Sequence, residues 1–339
     1  MSSRLERAWY RQAPWLKLFR PVSVLFTCLV KRRRQRWLQS KAVWHAPVPV
    51  IVVGNISVGG TGKTPVVLAL IEWLGSEGYQ PGVVSRGYGA KPPSYPWLVK
   101  PEQDASLTGD EPLLIAQRAQ VKVVIDPDRP AAARALLADG QCNVIISDDG
   151  LQHYPLGRDI EIAVIDGQRG LGNHRCLPEG PLREPPERLN RVDLVLQNGG
   201  DMLHHPAANI FQLQATRITR LDGSDPQSLA QWLAQLKTPR VHAVCGIGHP
   251  ERFFSTLAAV GLDCVPHAFA DHHAFSEAEL LALDGLPLVM TEKDAVKCKD
   301  FQLPDGWVLQ VTAELPDRFK DILLQQLAAC QFKEGKGNG

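Results

Sequence analysis

Residues 57 to 64 read Ser-Val-Gly-Gly-Thr-Gly-Lys-Thr, and the sequence changes character on either side of them. Val48-Pro49-Val50-Ile51-Val52-Val53 is a short apolar run with the marks of a buried strand, and Val66 to Leu74 follows with helix-like composition. A strand, a glycine-rich turn and a helix opening on Lys-Thr restrict the fold to an α/β architecture whose turn wraps its backbone N–H groups around an anion. Ser57, Val58, Gly59, Gly60, Thr61, Gly62, Lys63 and Thr64 are therefore the candidate phosphate-binding residues. Lys63 can reach the β- and γ-phosphates, and the Thr64 hydroxyl can ligate Mg²⁺. Where the general motif begins with Gly, this chain has Ser57. The competing reading is a tight structural turn with an incidental lysine, and the correct elements on both flanks argue against it.

Beyond the loop, strands and helices alternate. Gly82 to Ser85 reads as a strand, Pro112 to Arg118 as a helix, Val121 to Ile125 as a strand, Arg129 to Leu137 as a helix and Asn143 to Ser147 as a strand. This rhythm predicts a parallel sheet with its active groups at the strand C-termini. The Pro-rich stretch Lys91 to Asp104 reads as a surface excursion. One strand ends in Asp148-Asp149-Gly150-Leu151-Gln152-His153. Apolar residues followed by Asp form the second half of a phosphate-loop site, so Asp148 and Asp149 join Thr64 as candidate Mg²⁺ ligands. An Asp-Gly turn closing a strand is the structural alternative. Asp110, in Thr108-Gly109-Asp110-Glu111-Pro112, stands where a helix cap would. It is also a candidate base, because phosphoryl transfer to a hydroxyl needs a carboxylate or similar group that the metal does not occupy.

Length and composition set the outer limits. With 339 residues and 44% apolar content, the chain can build two α/β domains. Seven cysteines without a CxxC pair fit neither a zinc site nor a disulfide framework and point to a reducing compartment. The net charge of +1 conceals an asymmetry, since residues 1 to 46 carry eleven Lys and Arg against Glu6 alone. Between the basic clusters Pro21 to Val30 is uncharged, and Trp9, Tyr10, Trp15, Leu16 and Phe19 precede it. A spanning helix needs about 20 apolar residues, so this run is too short to cross a bilayer but can lie in the interface of an anionic membrane. Lys31-Arg32-Arg33-Arg34 stands where a signal peptide would need a cleavage site. A basic arm for nucleic acid and a helix packed on its own domain are the remaining alternatives, and membrane attachment is preferred to both.

The chain resembles the tetraacyldisaccharide 4′-kinase family of the lipid A pathway. The resemblance rests on the basic amphipathic N-terminus, Gly54-Asn55-Ile56-Ser57 running into the phosphate loop, Ser85-Arg86-Gly87-Tyr88-Gly89, Gly109-Asp110-Glu111-Pro112 and Asp148 to His153. It continues with Pro181-Leu182-Arg183-Glu184, Gly246-Ile247-Gly248-His249-Pro250-Glu251-Arg252-Phe253, Asp271-His272-His273 and Thr291-Glu292-Lys293-Asp294. Each motif alone is weak, and their order and spacing together are specific; Ser57 is what this family carries. The resemblance implies an ATP- and Mg²⁺-dependent kinase that phosphorylates the 4′-hydroxyl of a tetraacylated glucosamine disaccharide 1-phosphate. Its implied place is peripheral, on the cytoplasmic face of the bacterial inner membrane, with no nucleic acid and no obligate protein partner. It also implies an acid–base pair of Asp110 with His272, His273 being a rival, and makes Arg129 a candidate for neutralising charge on the transferred group. Roles for His153, Arg183 and Glu184 stay open.

The expected organisation is an N-terminal amphipathic helix region (1–46), a P-loop kinase core with a parallel sheet (47–200), a smaller C-terminal α/β domain (201–332) and a polar, disordered tail (333–339). In the second half, Arg240 to Cys245 leads into Gly246-Ile247-Gly248-His249-Pro250, a strand, tight loop and helix start. A P-loop GTPase or metal-insertion chaperone is the alternative function. It should show a guanine-reading Asn-Lys-x-Asp, and Thr291-Glu292-Lys293-Asp294 is the nearest approach.

Overall fold

The computed structural model describes residues 4–283 and 285–334. Of the expected disordered tail, Lys333 and Glu334 continue the last helix, and the rest lies outside the described residues.

The strands are β1 (Val50–Gly54), β2 (Pro81–Ser85), β3 (Trp97–Val99), β4 (Val123–Ile125), β5 (Val144–Asp148), β6 (Ile160–Asp166) and β7 (Leu194–Asn198) in the first half. The second half contributes β8 (Ala208–Arg220), β9 (Gln227–Ser228), β10 (Arg240–Cys245), β11 (Asp263–Ala268), β12 (Leu288–Thr291) and β13 (Gly306–Glu314). They join one sheet in the order β11-β10-β12-β13-β8-β7-β6-β1-β5-β2-β4-β3, with β9 on β8. β1, β5, β6 and β7 are buried along their whole length, the pattern of parallel strands covered on both faces by helices. The excursion at 91–104 is not all loop. Trp97–Val99 pairs antiparallel with β4 at the sheet's edge, where proline-rich flanks are tolerated.

β8 carries the sheet from one half of the molecule to the other. Ala208 to Phe211 pair parallel with β7, and Gln212 to Arg220 pair antiparallel with β13. The sheet therefore runs straight past the boundary expected at residue 200. The closing helix Asp317–Glu334 returns to the first half, where Phe319, Leu323 and Leu327 share a core with Val66, Leu70 and Leu74. Of the residues expected to form a separate unit, only the part around β10 to β13 has cores of its own. One holds Ile218, Trp232, Val241 and Leu257, the other Val244, Phe275, Leu280 and Met290.

At the N-terminus the helices Arg4–Tyr10 and Arg20–Leu38 flank a 3-10 turn, Pro14–Phe19. Ser23 Oγ donates to the Cys176 carbonyl at 2.7 Å and Arg20 pairs with Glu179 at 3.0 Å, so one side of the second helix is docked. Leu18, Val22, Leu25 and Leu29 remain exposed at helical spacing. No single described helix is long and apolar enough to cross a membrane; the two helices pass such a test only together, across a 99° bend.

Candidate active site

The parallel topology brings the C-terminal ends of β1, β2, β5, β6, β10 and β12 to one rim, and a cavity of about 860 Å³ opens there. Gly59 (φ 98°) and Gly62 (φ 94°) take backbone angles that L-residues rarely adopt, so the turn needs its glycines. The helix Lys63–Ser76 starts without a side-chain cap, which leaves the first-turn N–H groups for an anion. Asn55 Nδ2 donates to the Gly59 carbonyl and Asn198 Nδ2 to the Thr61 carbonyl, each at 3.2 Å, holding the loop from below. Ser57 is buried and bridges to Leu182, tying the loop's first residue to the Pro181-Leu182-Arg183-Glu184 segment.

Beside the loop, just past the end of the neighbouring β5, Asp149 takes a left-handed backbone (φ 47°), and its carboxylate meets Lys63 at 3.4 Å and Arg183 at 3.0 Å. Burial alone would raise its pKa, but these two cations outweigh burial and hold it well below the usual carboxylate range. Asp148 behaves oppositely. Burial, then the charges of Glu111 and Asp149, push its pKa up. Ser85 Oγ donates to Asp148 Oδ2 at 3.3 Å, while the buried Oδ1 has no partner. An orphaned carboxylate oxygen on a residue that lines the same cavity as Thr64 and the phosphate loop fits Mg²⁺, which would relieve the strain that burial puts on the charge. Among the described residues no group of three or more His, Cys, Asp or Glu could hold a metal. That suits an ion held by one or two carboxylates together with phosphate oxygens and water.

Arg129 carries a main-chain role that the sequence did not show. It borders the cavity but is 2% exposed, and its Nη1 and Nη2 donate to the carbonyls of Asp126 and Asp148 at 3.0 and 3.2 Å. Its guanidinium braces the β5 terminus, and burial lowers its pKa to about 10. The cations with freer reach into the cavity are Arg86 and Arg183. His153 accepts from the Arg129 N–H through Nε2 at 3.3 Å. Burial first, then Arg129, Arg158, Arg33 and Arg86, lower its pKa to about 3, so the ring is neutral. Glu184 lies under the site, accepting from Gln152 at 2.8 Å and from Tyr154 at 2.6 Å.

On the far wall, Asp110 opens the helix Asp110–Ala119 after Gly109, and its Oδ2 lies 3.0 Å from His272 Nδ1. His272 adopts φ 59° and packs against Tyr88, ring centres 5.1 Å apart. His273 is turned away, bonded to Glu279 at 3.0 Å and stacked on Phe269. Burial would raise the pKa of Asp110, yet the His272 hydrogen bond and the charges of Lys297, His272 and Lys293 bring it below the ordinary carboxylate value. It is therefore a carboxylate at neutral pH and a hydrogen-bonded proton acceptor for the imidazole.

Several residues that matter were named in the sequence only as part of a motif, or not at all. Thr291-Glu292-Lys293-Asp294 and Lys297 clamp the two halves together. Glu292 pairs with Arg118, Lys293 bridges Glu111 at 3.1 Å and Asp271 at 3.4 Å, and Lys297 reaches Asp294 at 2.8 Å and Asp110 at 3.8 Å. Asp294, fully buried, accepts from the Gly246 N–H at 2.8 Å and from Thr291 at 2.6 Å. Its carboxylate is thus engaged inside the fold and does not present itself to a guanine base. Asp166 receives Arg252 at 2.6 Å and His249 at 3.2 Å. Its signal was in the sequence, since β6 ends in Asp just as β5 does.

A mostly parallel sheet, a glycine-rich anion loop at a helix start and a facing acid–base pair define a P-loop phosphotransferase. Residues 15–328 match the family model described as tetraacyldisaccharide-1-P 4′-kinase, LpxK. The chain is 52% identical over 327 residues to the tetraacyldisaccharide 4′-kinase of Pseudomonas syringae, covering 96% of this chain and 98% of that one. It is 51% identical over 314 residues to the same enzyme of Pseudomonas paraeruginosa, covering 92% and 93%. The crystal structure of LpxK from Aquifex aeolicus in complex with ATP superposes with a TM-score of 0.76 at 25% identity, over 92% of this chain and 99% of that one. The chain belongs to the tetraacyldisaccharide 4′-kinase family.

Proposed function

We propose that this chain transfers the γ-phosphoryl group of ATP to the 4′-hydroxyl of a tetraacylated glucosamine disaccharide 1-phosphate in lipid A biosynthesis, working on a membrane surface. The observation that carries the chemistry is the Asp110–His272 contact at 3.0 Å, with His272 on the wall of the cavity that also holds the phosphate loop. His272 and Asp110 take the proton of the sugar hydroxyl as its oxygen bonds to phosphorus and the bond to the departing ADP breaks. Lys63 and the loop N–H groups hold the phosphates, and Arg86 and Arg183 balance charge on the group in transit. Thr64 and Asp148 would hold Mg²⁺, with Asp149 beside them, and the ion would supply charge neutralisation for the phosphates.

Membrane attachment rests on the exposed row Leu18, Val22, Leu25 and Leu29 with Lys31 to Arg34 beyond its end. Apolar side chains in the acyl boundary and arginines among anionic headgroups fit a peripheral protein of the cytoplasmic face of the inner membrane.

The test is transfer of labelled γ-phosphate to the lipid precursor presented in anionic vesicles. Transfer is expected with ATP. ATP hydrolysis that ignores the lipid would reject the reading. Leu25→Asp with Leu29→Asp should release the protein from vesicles and slow turnover of vesicle-borne lipid. Unaltered sedimentation with vesicles would place the membrane contact elsewhere.

A further inference from the structure

Helix Arg4–Tyr10 lies in the segment that the membrane reading claims, yet its acid turns inward. Glu6 Oε1 accepts from Arg169 Nη1 at 2.8 Å, Arg169 Nη2 donates to the Gly248 carbonyl at 3.3 Å, and the guanidinium lies 5.1 Å over the ring of Tyr10. Three distant stretches of chain meet at this one side chain. They meet against the phosphate loop, because a Cβ on Gly59 would stand 3.7 Å from Arg169 Nη1 and 3.8 Å from Glu6 Oε1. Gly248 closes the same corner, since a Cβ there would lie 3.2 Å from the Gly60 nitrogen. Arg169 is itself fixed. Its N–H donates to Asp166 Oδ1 at 3.2 Å, and Asp166 Oδ2 draws in Arg252 and His249 from the C-terminal half.

We propose that Glu6 and Arg169 are positioning residues of the phosphate loop, making the first helix part of the nucleotide site as well as of the N-terminal membrane segment. The inference rests on the nucleotide reading of that loop. The Arg169 and Glu6 side chains are 14% and 20% exposed, so their attraction is only partly screened. Loss of Arg169 would take away the cation 2.8 Å from a carboxylate beside the loop that must hold phosphates, and would untether Gly248. Removal of Glu6 as well would undo the first of these effects. Truncating the N-terminus therefore weakens nucleotide binding in addition to releasing the membrane.

The experiment uses the full chain in detergent micelles, where vesicle binding plays no part. Michaelis constants for ATP and for lipid are measured for Glu6→Gln, Arg169→Lys, Arg169→Ala and the Glu6→Gln/Arg169→Ala pair, alongside binding of a fluorescent ATP analogue without lipid. Arg169→Ala is expected to raise the ATP constant about tenfold and Glu6→Gln a few-fold, with the double variant milder than the product of the two. Arg169→Lys should fall between, and the lipid constant should stay put. Unchanged analogue affinity, additive effects, tighter ATP binding in Glu6→Gln, or equal shifts in both constants would overturn the proposal. Should Arg169→Ala not fold, Glu6→Gln and Arg169→Lys decide it. Failure of the unaltered protein to bind the analogue would strike the phosphate-loop reading instead.

Discussion

The wall of the cleft that cradles phosphate is assembled from the ends of β1 and β5, which are hydrogen-bonded neighbours, whereas the wall carrying the acid–base pair joins residues 162 positions apart in the chain. On the first wall, Lys63 and Asp149 are placed by backbone geometry: a glycine turn, a helix start and a left-handed aspartate. On the second, Lys293, Asp294 and Lys297 tie the segments that carry Asp110 and His272 to each other. The contrast teaches where each wall is vulnerable. A local geometry survives distant substitutions, while a pair held by ion pairs between segments depends on charges elsewhere in the chain.

Four substitutions and one control probe that contrast. Asp110→Asn should have the largest effect, lowering kcat by about 10² to 10⁴, the usual range for a positioned proton acceptor. A loss below tenfold would transfer the role to His272 or Glu111. Lys63→Ala should cost about 10² to 10³ in kcat through lost charge stabilisation, with circular dichroism unchanged. Near-normal turnover would show that the loop does not hold the transferred phosphate. Asp148→Asn should raise the Mg²⁺ concentration for half-maximal rate by about 10- to 100-fold, read by titrating Mg²⁺ at fixed ATP. An unchanged requirement would remove Asp148 from the metal site.

Lys297→Met should have the smallest effect at neutral pH and show itself in the pH profile. Asp110 is active as the carboxylate, and its pKa is held down by His272, Lys297 and Lys293 against the effect of burial. Without one of those cations the pKa rises, so the acid limb of kcat moves to higher pH and activity is lost sooner as pH falls. Arg118→Met, which cuts the Glu292 contact but places no charge beside Asp110, should leave that limb where it is. A matching shift in both variants would mean that the clamp acts only through packing.

The sequence by itself determined the elements that depend on neighbours in the chain. Arg129–Leu137 and Arg240–Cys245 form the helix and strand expected at those bounds, and the phosphate loop stands between its strand and helix. Periodicity, glycine in a turn and an acid at a strand's end are local physics, so they can be read without coordinates. The family motifs likewise carried Asp110, His272, Asp148 and Asp149.

Only the tertiary structure decided matters that depend on partners far along the chain. The alternation of 210–215 marks a strand, but nothing in it says that β8 changes partner from β7 to β13 and carries the sheet past residue 200. Phe319, Leu323 and Leu327 are spaced as a helix face, yet their burial in the first core follows from where that helix lands. Leu18, Val22, Leu25 and Leu29 have the same kind of spacing and stay exposed. Arg129 read as a charge for phosphate, and only the structure shows that its guanidinium, on the cavity wall, also braces two main-chain carbonyls. Glu6 read as a lone acid in a basic arm and pairs with Arg169 behind the phosphate loop. Burial and charge pairing are properties of what surrounds a residue, and that neighbourhood exists only once the chain has folded.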